Sequence, residues 1–260
     1  MSRLEALRDD FAVLQRLLRG MPRAESHAAS LTEFYAPQAG AYDRFRERLL
    51  QGRAELIERL DLPERARVVE LGGGTGRNAE FFGERLSRIE SLEIVDVCAP
   101  LLATARERAR RLPALRVTEA DATTYRPEQP VDAVYFSYAL TMIPDWRAAI
   151  ANALAMLKPG GVLGVVDFYV SQAQPALGAA RHGALTRWFW PAWFGHDGVR
   201  VSSEHLPELQ RLMPDNRVIE ARAKVPYLPI GRVPYYVFIG RKAAMRRRLS
   251  PRDKYSYSRR

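Results

Sequence analysis

The stretch VVELGGGTG, residues 68–76, decides the fold, because an apolar segment with an acidic residue runs directly into a cluster of glycines. A short apolar run favours a buried β-strand, and closely spaced glycines let the backbone approach a bulky or charged ligand. The next segment, NAEFFGERL at residues 78–86, favours a helix. Strand, glycine turn and helix in this order predict the first βα unit of an α/β sheet, with a ligand beside the turn.

Strand and helix patterns then alternate along the chain. Helices are predicted at residues 78–86, 101–112 and 145–161, the last closed by a Pro-Gly-Gly turn, and strands at 66–72, 91–97, 115–122, 131–140, 162–169, 217–225 and 235–242. Strands joined through helices form right-handed crossovers, which place helices on both faces of the sheet. The predicted fold class is therefore α/β, with a doubly wound, mostly parallel, seven-stranded sheet.

The composition is that of a globular protein with a basic C terminus. Hydrophobic residues make up 47% of the 260 residues and charged residues 27%, which is ordinary for such proteins. The net charge is +10, and the last twenty residues hold nine Lys and Arg against one Asp. A segment of this kind binds anionic lipid headgroups or nucleic-acid phosphates, or else is a solvated terminus without a specific partner.

Several classes of site and location are disfavoured. The single cysteine, Cys98, cannot form an internal disulfide, and the histidines His27, His182, His196 and His205 lack metal-ligand spacing, so no metal is predicted. No apolar run approaches the roughly 20 residues that cross a bilayer, and the charged N terminus lacks a signal-peptide pattern. A cytoplasmic location is therefore expected.

The glycine cluster departs from the dinucleotide-binding pattern G-x-G-x-x-G, because Arg77 stands where that pattern needs its third glycine. The pattern is instead E-x-G-x-G-x-G, from Glu70 to Gly76. It resembles motif I of the class I S-adenosylmethionine-dependent methyltransferases, and the resemblance covers about residues 61–242. It implies S-adenosylmethionine as the cofactor. An acidic residue ahead of the loop suits the cationic methionyl end of that cofactor, and the glycines let the backbone pass beside it.

The resemblance also implies further cofactor contacts. Asp96, at the end of the second strand, is expected to accept the ribose hydroxyls, and Asp121 and Ala122 follow the third strand, where the family places an acid near the adenine amine. Arg53 suits the cofactor carboxylate, or else is a solvated arginine at a helix end. The full predicted cofactor set is Tyr35, Tyr42, Arg53, Glu70, Gly72, Gly73, Gly74, Thr75, Gly76, Asn78, Asp96, Val97, Asp121, Ala122 and Ser137.

Three segments suggest an acceptor. Residues 34–53, 136–146 and 188–198 resemble the bacterial enzymes that N-methylate diacylglyceryl-homoserine to a betaine lipid. The resemblance implies successive methylation of the amino group of that lipid at the membrane surface. Three alternatives stay open: a phosphatidylethanolamine N-methyltransferase, an RNA methyltransferase or nucleic-acid binder that uses the basic tail, and an inactive cofactor-binding subunit. Nucleic acid is the less expected partner, because the charge outside the tail is nearly balanced.

Methyl transfer to an amine needs alignment, desolvation and tolerance of positive charge. Aromatic faces stabilise a methylammonium, so Tyr35, Tyr42 and Tyr138 are predicted to line the acceptor site, unless they only pack the lid. His196 and Arg200 are expected to meet the carboxylate of the substrate. The predicted catalytic set is thus Tyr42, Tyr138, Tyr35 and His196.

The predicted organisation has three parts. Residues 1–60 form N-terminal helices that cover the cofactor and contact the membrane, residues 61–242 form the methyltransferase domain, and residues 243–260 form the polybasic tail. The aromatic cluster at residues 188–194 predicts either contact with the membrane interface or a helix packed on the sheet. The expected partners are the lipid substrate, anionic lipids at the tail and the enzyme that supplies diacylglyceryl-homoserine, at the inner membrane face.

Overall fold

The computed structural model describes residue 32 and residues 47–195, 198–225 and 231–244. Its helices are α1 Arg53–Arg59, α2 Ala99–Ala109, α3 Trp146–Met156, α4 Ala184–Gly195 and α5 His205–Leu212. Its strands are β1 Arg67–Leu71, β2 Ser91–Asp96, β3 Leu115–Glu119, β4 Val131–Ser137, β5 Leu157–Phe168, β6 Asn216–Lys224 and β7 Arg232–Arg241. Within these ranges, no helix has both the length and the hydropathy to cross a bilayer.

The seven strands form one sheet in the order β3-β2-β1-β4-β5-β7-β6. Strands β1 to β5 run parallel to one another, whereas β7 runs antiparallel to both β5 and β6. The direction of winding reverses between β1 and β4, so a crevice opens beyond the carboxyl ends of these two strands. The predicted α/β fold is confirmed, and the glycine loop lies at this crevice.

Apolar side chains cover both faces of the sheet. On one face, Leu56 of α1 and Leu102 of α2 pack in a buried cluster with Ile94 of the sheet. On the other face, Ile150 of α3 and Leu209 of α5 belong to a second buried cluster. Full burial of one such aliphatic side chain stabilises the fold by about 1.5–3 kcal/mol relative to its exposure. The two layers together hold the strand ends, and therefore the crevice, in a fixed position.

The helix predicted after the glycines is a 3₁₀ segment, Arg77–Ser87, interrupted at Gly83 with φ 53°. A positive φ breaks a helix, so Gly83 divides this segment into two short parts. Arg85 in this segment donates to the carbonyl oxygens of Ile57 at 2.9 Å and Leu60 at 2.7 Å. These are terminal carbonyls of α1, so the arginine caps that helix.

The predictions at the two ends of the chain are only partly described. In the predicted N-terminal helical part, residues 1–60, Gly52 has φ 79° just before α1 begins. The predicted lid and the polybasic tail lie almost entirely outside the described residues, so the three-part division stays a prediction. The Pro-Gly-Gly turn predicted at residues 159–161 belongs to β5, because Lys242 pairs with Gly160 and Gly161 across the sheet.

Helix α4 contains the aromatic cluster, and its side chains divide between core and solvent. Trp190 and Phe194 are buried, and the Phe194 ring stacks on Phe168 with centroids 4.9 Å apart. Trp188 and Trp193 are 68% and 40% exposed. Packing of a helix on the sheet therefore accounts for the two buried rings, and membrane contact of the exposed ones stays a prediction. Helix α5 has no counterpart among the predicted elements.

A buried carboxylate fixes the segment that follows β4. Asp167, near the end of β5, accepts hydrogen bonds from the Thr141 hydroxyl at 2.8 Å and the Thr141 amide at 3.1 Å. It is fully buried, and burial raises its pKa to about 7. The carboxylate thereby ties residues 138–145 to β5, since a carboxylate inside a protein must keep its donors.

Replacement of Thr141 by Val should lower the free energy of unfolding by about 1–3 kcal/mol, because the buried Asp167 carboxylate loses a donor. The measurement is urea denaturation monitored by circular dichroism. Thr141→Ser is the matched control, because it keeps the hydroxyl and should be clearly less destabilising. A loss in Thr141→Ser with none in Thr141→Val would mean that the methyl group, and not the hydrogen bond, stabilises the segment.

Candidate functional site

A cavity of about 270 Å³ lies at the carboxyl ends of the parallel strands. We call it the glycine-loop cavity. It brings together seven of the predicted site residues, from the ends of β1 to β4: Gly72, Gly74, Asp96, Val97, Asp121, Ala122 and Tyr138. These residues are distant in the sequence, and the common edge of the parallel sheet unites them.

The glycines are needed for close backbone approach and for left-handed conformations. Gly72 has φ 72°, and a Cβ placed on it would come within 2.5 Å of the Ala139 Cβ. Gly74 also has a positive φ, and Gly76, with φ 67°, begins the 3₁₀ segment without lining the cavity. Side chains are therefore excluded at Gly72, and the loop passes directly under residues that follow β4.

The carboxylate of Asp96 is fixed in position by two backbone amides. Its Oδ2 accepts from the Gly74 amide and its Oδ1 from the Cys98 amide, each at 2.8 Å. A carboxylate accepts hydrogen bonds from adjacent hydroxyls, such as the 2′ and 3′ hydroxyls of a ribose. This geometry fits a ribose at the edge of β2.

Asp121 lies at the opposite end of the cavity and is exposed. Its Oδ1 accepts from both the amide and the hydroxyl of Thr123, each at 2.7 Å. Asn152 of α3 supports this segment, since its Nδ2 donates to the Ala122 carbonyl at 2.8 Å and to the Tyr125 carbonyl at 2.9 Å. Sequence reasoning missed Asn152, because an asparagine within an amphipathic helix carries no signal of such a role.

A buried polar cluster lies at the other end of the glycine loop, around Glu70. The Glu70 carboxylate accepts from Asn78 Nδ2 at 2.6 Å and from the Tyr135 hydroxyl at 2.8 Å. Arg53 joins the cluster through a bond from its Nη1 to Asn78 Oδ1 at 3.5 Å. Burial raises the pKa of Glu70 to about 7, although the two donors and the Arg53 charge oppose that shift. A cation bound beside Glu70 would lower this pKa and restore the ionised carboxylate, so the site suits a cationic ligand.

Tyr135 was not among the predicted site residues. It stands in an apolar strand, and it meets Glu70 only because the register of β1 and β4 sets the two residues side by side. The sequence signal that could have found it is a polar-tipped aromatic within the strand that adjoins the motif.

Ser137 provides a test of whether a ligand fits here. Its Oγ is buried and has no hydrogen-bond partner among the described residues. It lines a small cavity together with six other predicted residues: Arg53, Glu70, Gly72, Gly73, Thr75 and Asn78. A buried hydroxyl without a partner is costly, so a polar ligand is expected to satisfy it. The methionyl end of S-adenosylmethionine fits these residues.

Of the predicted catalytic residues, only Tyr138 lies in the described part of the chain. It has φ 54°, and its hydroxyl donates to the Gln51 carbonyl at 2.6 Å. Its ring packs edge-on against Phe168 with centroids 4.6 Å apart. Tyr138 therefore both lines the cavity and packs against the core. Tyr35, Tyr42 and His196 lie outside the described residues, and their roles stay predictions.

Comparison with known proteins identifies relatives of this chain. A family model described as "Methyltransferase domain" matches residues 42–216. Trans-aconitate 2-methyltransferase of Variovorax paradoxus is 37% identical over 125 residues, which cover 48% of this chain and 47% of that protein. The enzyme of the same name from Methylobacterium radiotolerans is 32% identical over 124 residues, 48% of this chain and 46% of that protein. The match thus spans about half the length of these relatives.

Among solved structures, phosphoethanolamine N-methyltransferase 2 of Haemonchus contortus, in complex with S-adenosyl-L-methionine, has a TM-score of 0.64 at 15% identity. The match covers 85% of this chain and 60% of that chain. At this identity the similarity shows the fold alone. The family match confirms the resemblance to class I methyltransferases and, with it, the predicted cofactor S-adenosylmethionine.

The predicted acceptor is wrong. The matching relatives are named for trans-aconitate, so the prediction of an N-methyltransferase acting on diacylglyceryl-homoserine, and the resemblance to the betaine-lipid enzymes, do not hold. The alternatives, phosphatidylethanolamine and RNA, find no support in these relatives either. One physical reason lies in α4, where two of the aromatic rings belong to the core. The predicted partners, among them anionic lipids at the tail, are not tested by these relatives and stay predictions.

Replacement of Asp96 by Asn should weaken S-adenosylmethionine binding about tenfold or more, because hydrogen bonds to a charged acceptor contribute roughly 1.5–3 kcal/mol. Isothermal calorimetry measures the dissociation constant. Glu119→Gln is the control, because Glu119 ends the neighbouring strand β3 and makes an exposed ion pair with Arg106. Unchanged affinity in Asp96→Asn, with an unchanged melting temperature, would remove Asp96 from the cofactor site.

Binding of S-adenosylmethionine should become about tenfold tighter from about pH 5.5 to about pH 7, because a cationic ligand favours ionised Glu70 and its pKa without ligand is raised to about 7. The sign follows from linkage: the ligand lowers the pKa, so binding releases a proton and is favoured as the pH rises. Glu70→Gln should bind more weakly and lose this dependence. A variant that keeps the wild-type slope would place the titrating group elsewhere.

Proposed function

The chain belongs to the methyltransferase-domain family that matches residues 42–216, and from this premise we propose that it methylates a carboxylate of a small polycarboxylic acid. The proposed acceptor is trans-aconitate. One observation carries this choice, the identity of 37% over 125 residues to an enzyme named for that acid. A second relative, at 32% identity, carries the same name.

The chemistry of a carboxylate acceptor differs from that of an amine. A carboxylic acid is ionised at neutral pH, so its oxygen is a nucleophile without prior loss of a proton. When bound, S-adenosylmethionine supplies a methyl group on a positively charged sulfur. The acceptor oxygen forms the new C–O bond as the S–C bond breaks, and both charges are neutralised. The protein therefore has to align the two reactants and remove water from between them.

The described residues are suited to align the reactants and to remove water from between them. Asp96 is positioned for the ribose, and Glu70 and Ser137 for the methionyl end of the cofactor. Apolar side chains of Tyr138, Ala139 and Met142 form one wall of the glycine-loop cavity and exclude water there. Poor hydration of the acceptor carboxylate raises its reactivity towards a cationic donor, because part of its stabilisation by water is lost.

Methyl transfer to a carboxylate does not require a general base. Glu70 accepts two hydrogen bonds inside the fold, and the Tyr138 hydroxyl donates to a backbone carbonyl. Neither group is thus engaged as a proton acceptor towards the cavity. An amine acceptor would have to lose a proton during methylation, whereas a carboxylate would not.

The purified chain should convert trans-aconitate to a monomethyl ester in the presence of S-adenosylmethionine. Mass spectrometry of the product, and its cleavage by mild alkali, identify an O-methyl ester, since a methyl group on nitrogen resists alkali. The rate at saturating substrate should be independent of pH above about pH 6, because the acceptor is fully ionised there. Citrate and a phosphatidylethanolamine vesicle serve as comparison acceptors. Transfer to the vesicle and to neither acid would refute the proposal.

A further inference from the structure

A second cleft of about 430 Å³ adjoins the glycine-loop cavity at the segment that follows β4. Its walls come from that segment, from α4 and from residues 200–205. Ile143 and Pro144 line both this cleft and the glycine-loop cavity. The two spaces therefore share one wall, and a ligand in one lies next to a ligand in the other.

The cleft has an excess of positive charge. Arg187 of α4 and Arg200 line it, and neither guanidinium makes an ion pair or a side-chain hydrogen bond within the described ranges. Glu204 also lines the cleft, but its carboxylate is paired with Arg147. Two arginines without an acidic partner attract an anion, and a guanidinium matches a carboxylate through two parallel hydrogen bonds.

A buried imidazole adds a second, independent indication of a ligand. His205, at the start of α5, is 1% exposed and lines the cleft. Its Nδ1 has no hydrogen-bond partner among the described residues. Burial, together with the nearby Arg147 charge, lowers its pKa to about 4, so the ring is neutral at physiological pH. A neutral imidazole provides one N–H donor and one acceptor, and a buried nitrogen without a partner favours a polar ligand.

Backbone hydrogen bonds attach residues 200–202 to the site. The Arg200 amide donates to the Thr141 carbonyl at 2.7 Å, and Ser202 pairs with Tyr169 just beyond the end of β5. Thr141 is the residue held by buried Asp167. Arg200 is thus positioned by the same anchored segment that forms the wall of the glycine-loop cavity.

We propose that this Arg187–Arg200 cleft binds those carboxylates of the acceptor that do not react. The inference rests on the proposed function, because it assumes that the acceptor is a polycarboxylic acid. It also explains selectivity: an acid with a single carboxylate could not both present an oxygen to the donor and occupy the arginines. Arg200 was predicted to meet the carboxylate of a lipid substrate, and here it meets that of a small acid.

The test compares Arg187→Gln and Arg200→Gln with the wild type in turnover of trans-aconitate. Each variant should raise the KM for the acid about tenfold or more, while kcat and the affinity for S-adenosylmethionine change less than about twofold. Arg211→Gln is the matched control, because Arg211 is an exposed arginine at the end of α5, paired with Glu208. This control should keep the wild-type KM. Wild-type KM values in both cleft variants would overturn the inference and leave the proposed function standing.

A binding measurement separates the cleft from the proposed function. Calorimetry without cofactor should detect tricarballylate, a saturated tricarboxylic acid, on the wild type and on Arg211→Gln but not on the two cleft variants. If the wild type methylates no polycarboxylic acid yet binds tricarballylate through these arginines, the proposed function fails and the anion site remains. Absence of wild-type binding would overturn the site itself. Inhibition by tricarballylate that is not competitive with trans-aconitate would also overturn the acceptor assignment.

Discussion

Burial of carboxylates at the carboxyl ends of parallel strands is the constraint on which the site depends. Glu70 is the next-to-last residue of β1, Asp96 is the last residue of β2, and Asp167 is the next-to-last residue of β5. A carboxylate removed from water costs several kcal/mol unless donors replace the lost hydration. Glu70 and Asp167 are buried, and Asp96 is half-buried. Asp96 and Asp167 take their donors from neighbouring loops, whereas Glu70 takes Asn78 of the 3₁₀ segment and Tyr135 of β4.

The donors show how the constraint builds the site. Asp96 takes the Gly74 and Cys98 amides, so the glycine loop and the start of α2 converge on one carboxylate. Asp167 takes Thr141, which holds the segment that lines both cavities. The left-handed Tyr138 within that segment is an unfavourable conformation for a non-glycine residue. Two hydrogen bonds offset that strain: the Tyr138 amide donates to the Val166 carbonyl at 2.8 Å, and its hydroxyl donates to the Gln51 carbonyl.

A single anchored segment consequently lines two adjoining spaces of different chemistry. One space is lined by glycines, acids and apolar residues, which suits a cofactor with a sugar and a purine. The other space is lined by arginines and a neutral imidazole, which suits an anion. A methyl transfer needs its reactants held within contact distance, and a shared rigid wall provides that alignment at little further entropic cost.

Features that depend on local pattern were predictable from the sequence. The strands follow from short apolar runs, and the glycine loop and Asp96 from their positions at strand ends. Features that depend on tertiary register were not. Tyr135 contacts Glu70 only through the alignment of β1 with β4, and Asp167 stands in the apolar stretch GVVDFY, where its burial and its bond to Thr141 leave no mark. The 3₁₀ segment is divided in two at Gly83, which takes a left-handed conformation.

The donor was predictable and the acceptor was not, for a physical reason that lies in how each is recognised. Backbone approach to the cofactor demands glycines at fixed spacing, which a sequence displays directly. Recognition of an anion needs only cations from separate elements, and Arg187 and Arg200 are two among 40 Lys and Arg residues. What distinguishes them is that both line one cleft beside the buried imidazole of His205, a property of the fold alone. The aromatic residues of α4 were the more conspicuous pattern in the sequence. Trp190 and Phe194 are buried with Phe168, however, so packing on the sheet explains these two rings without a substrate.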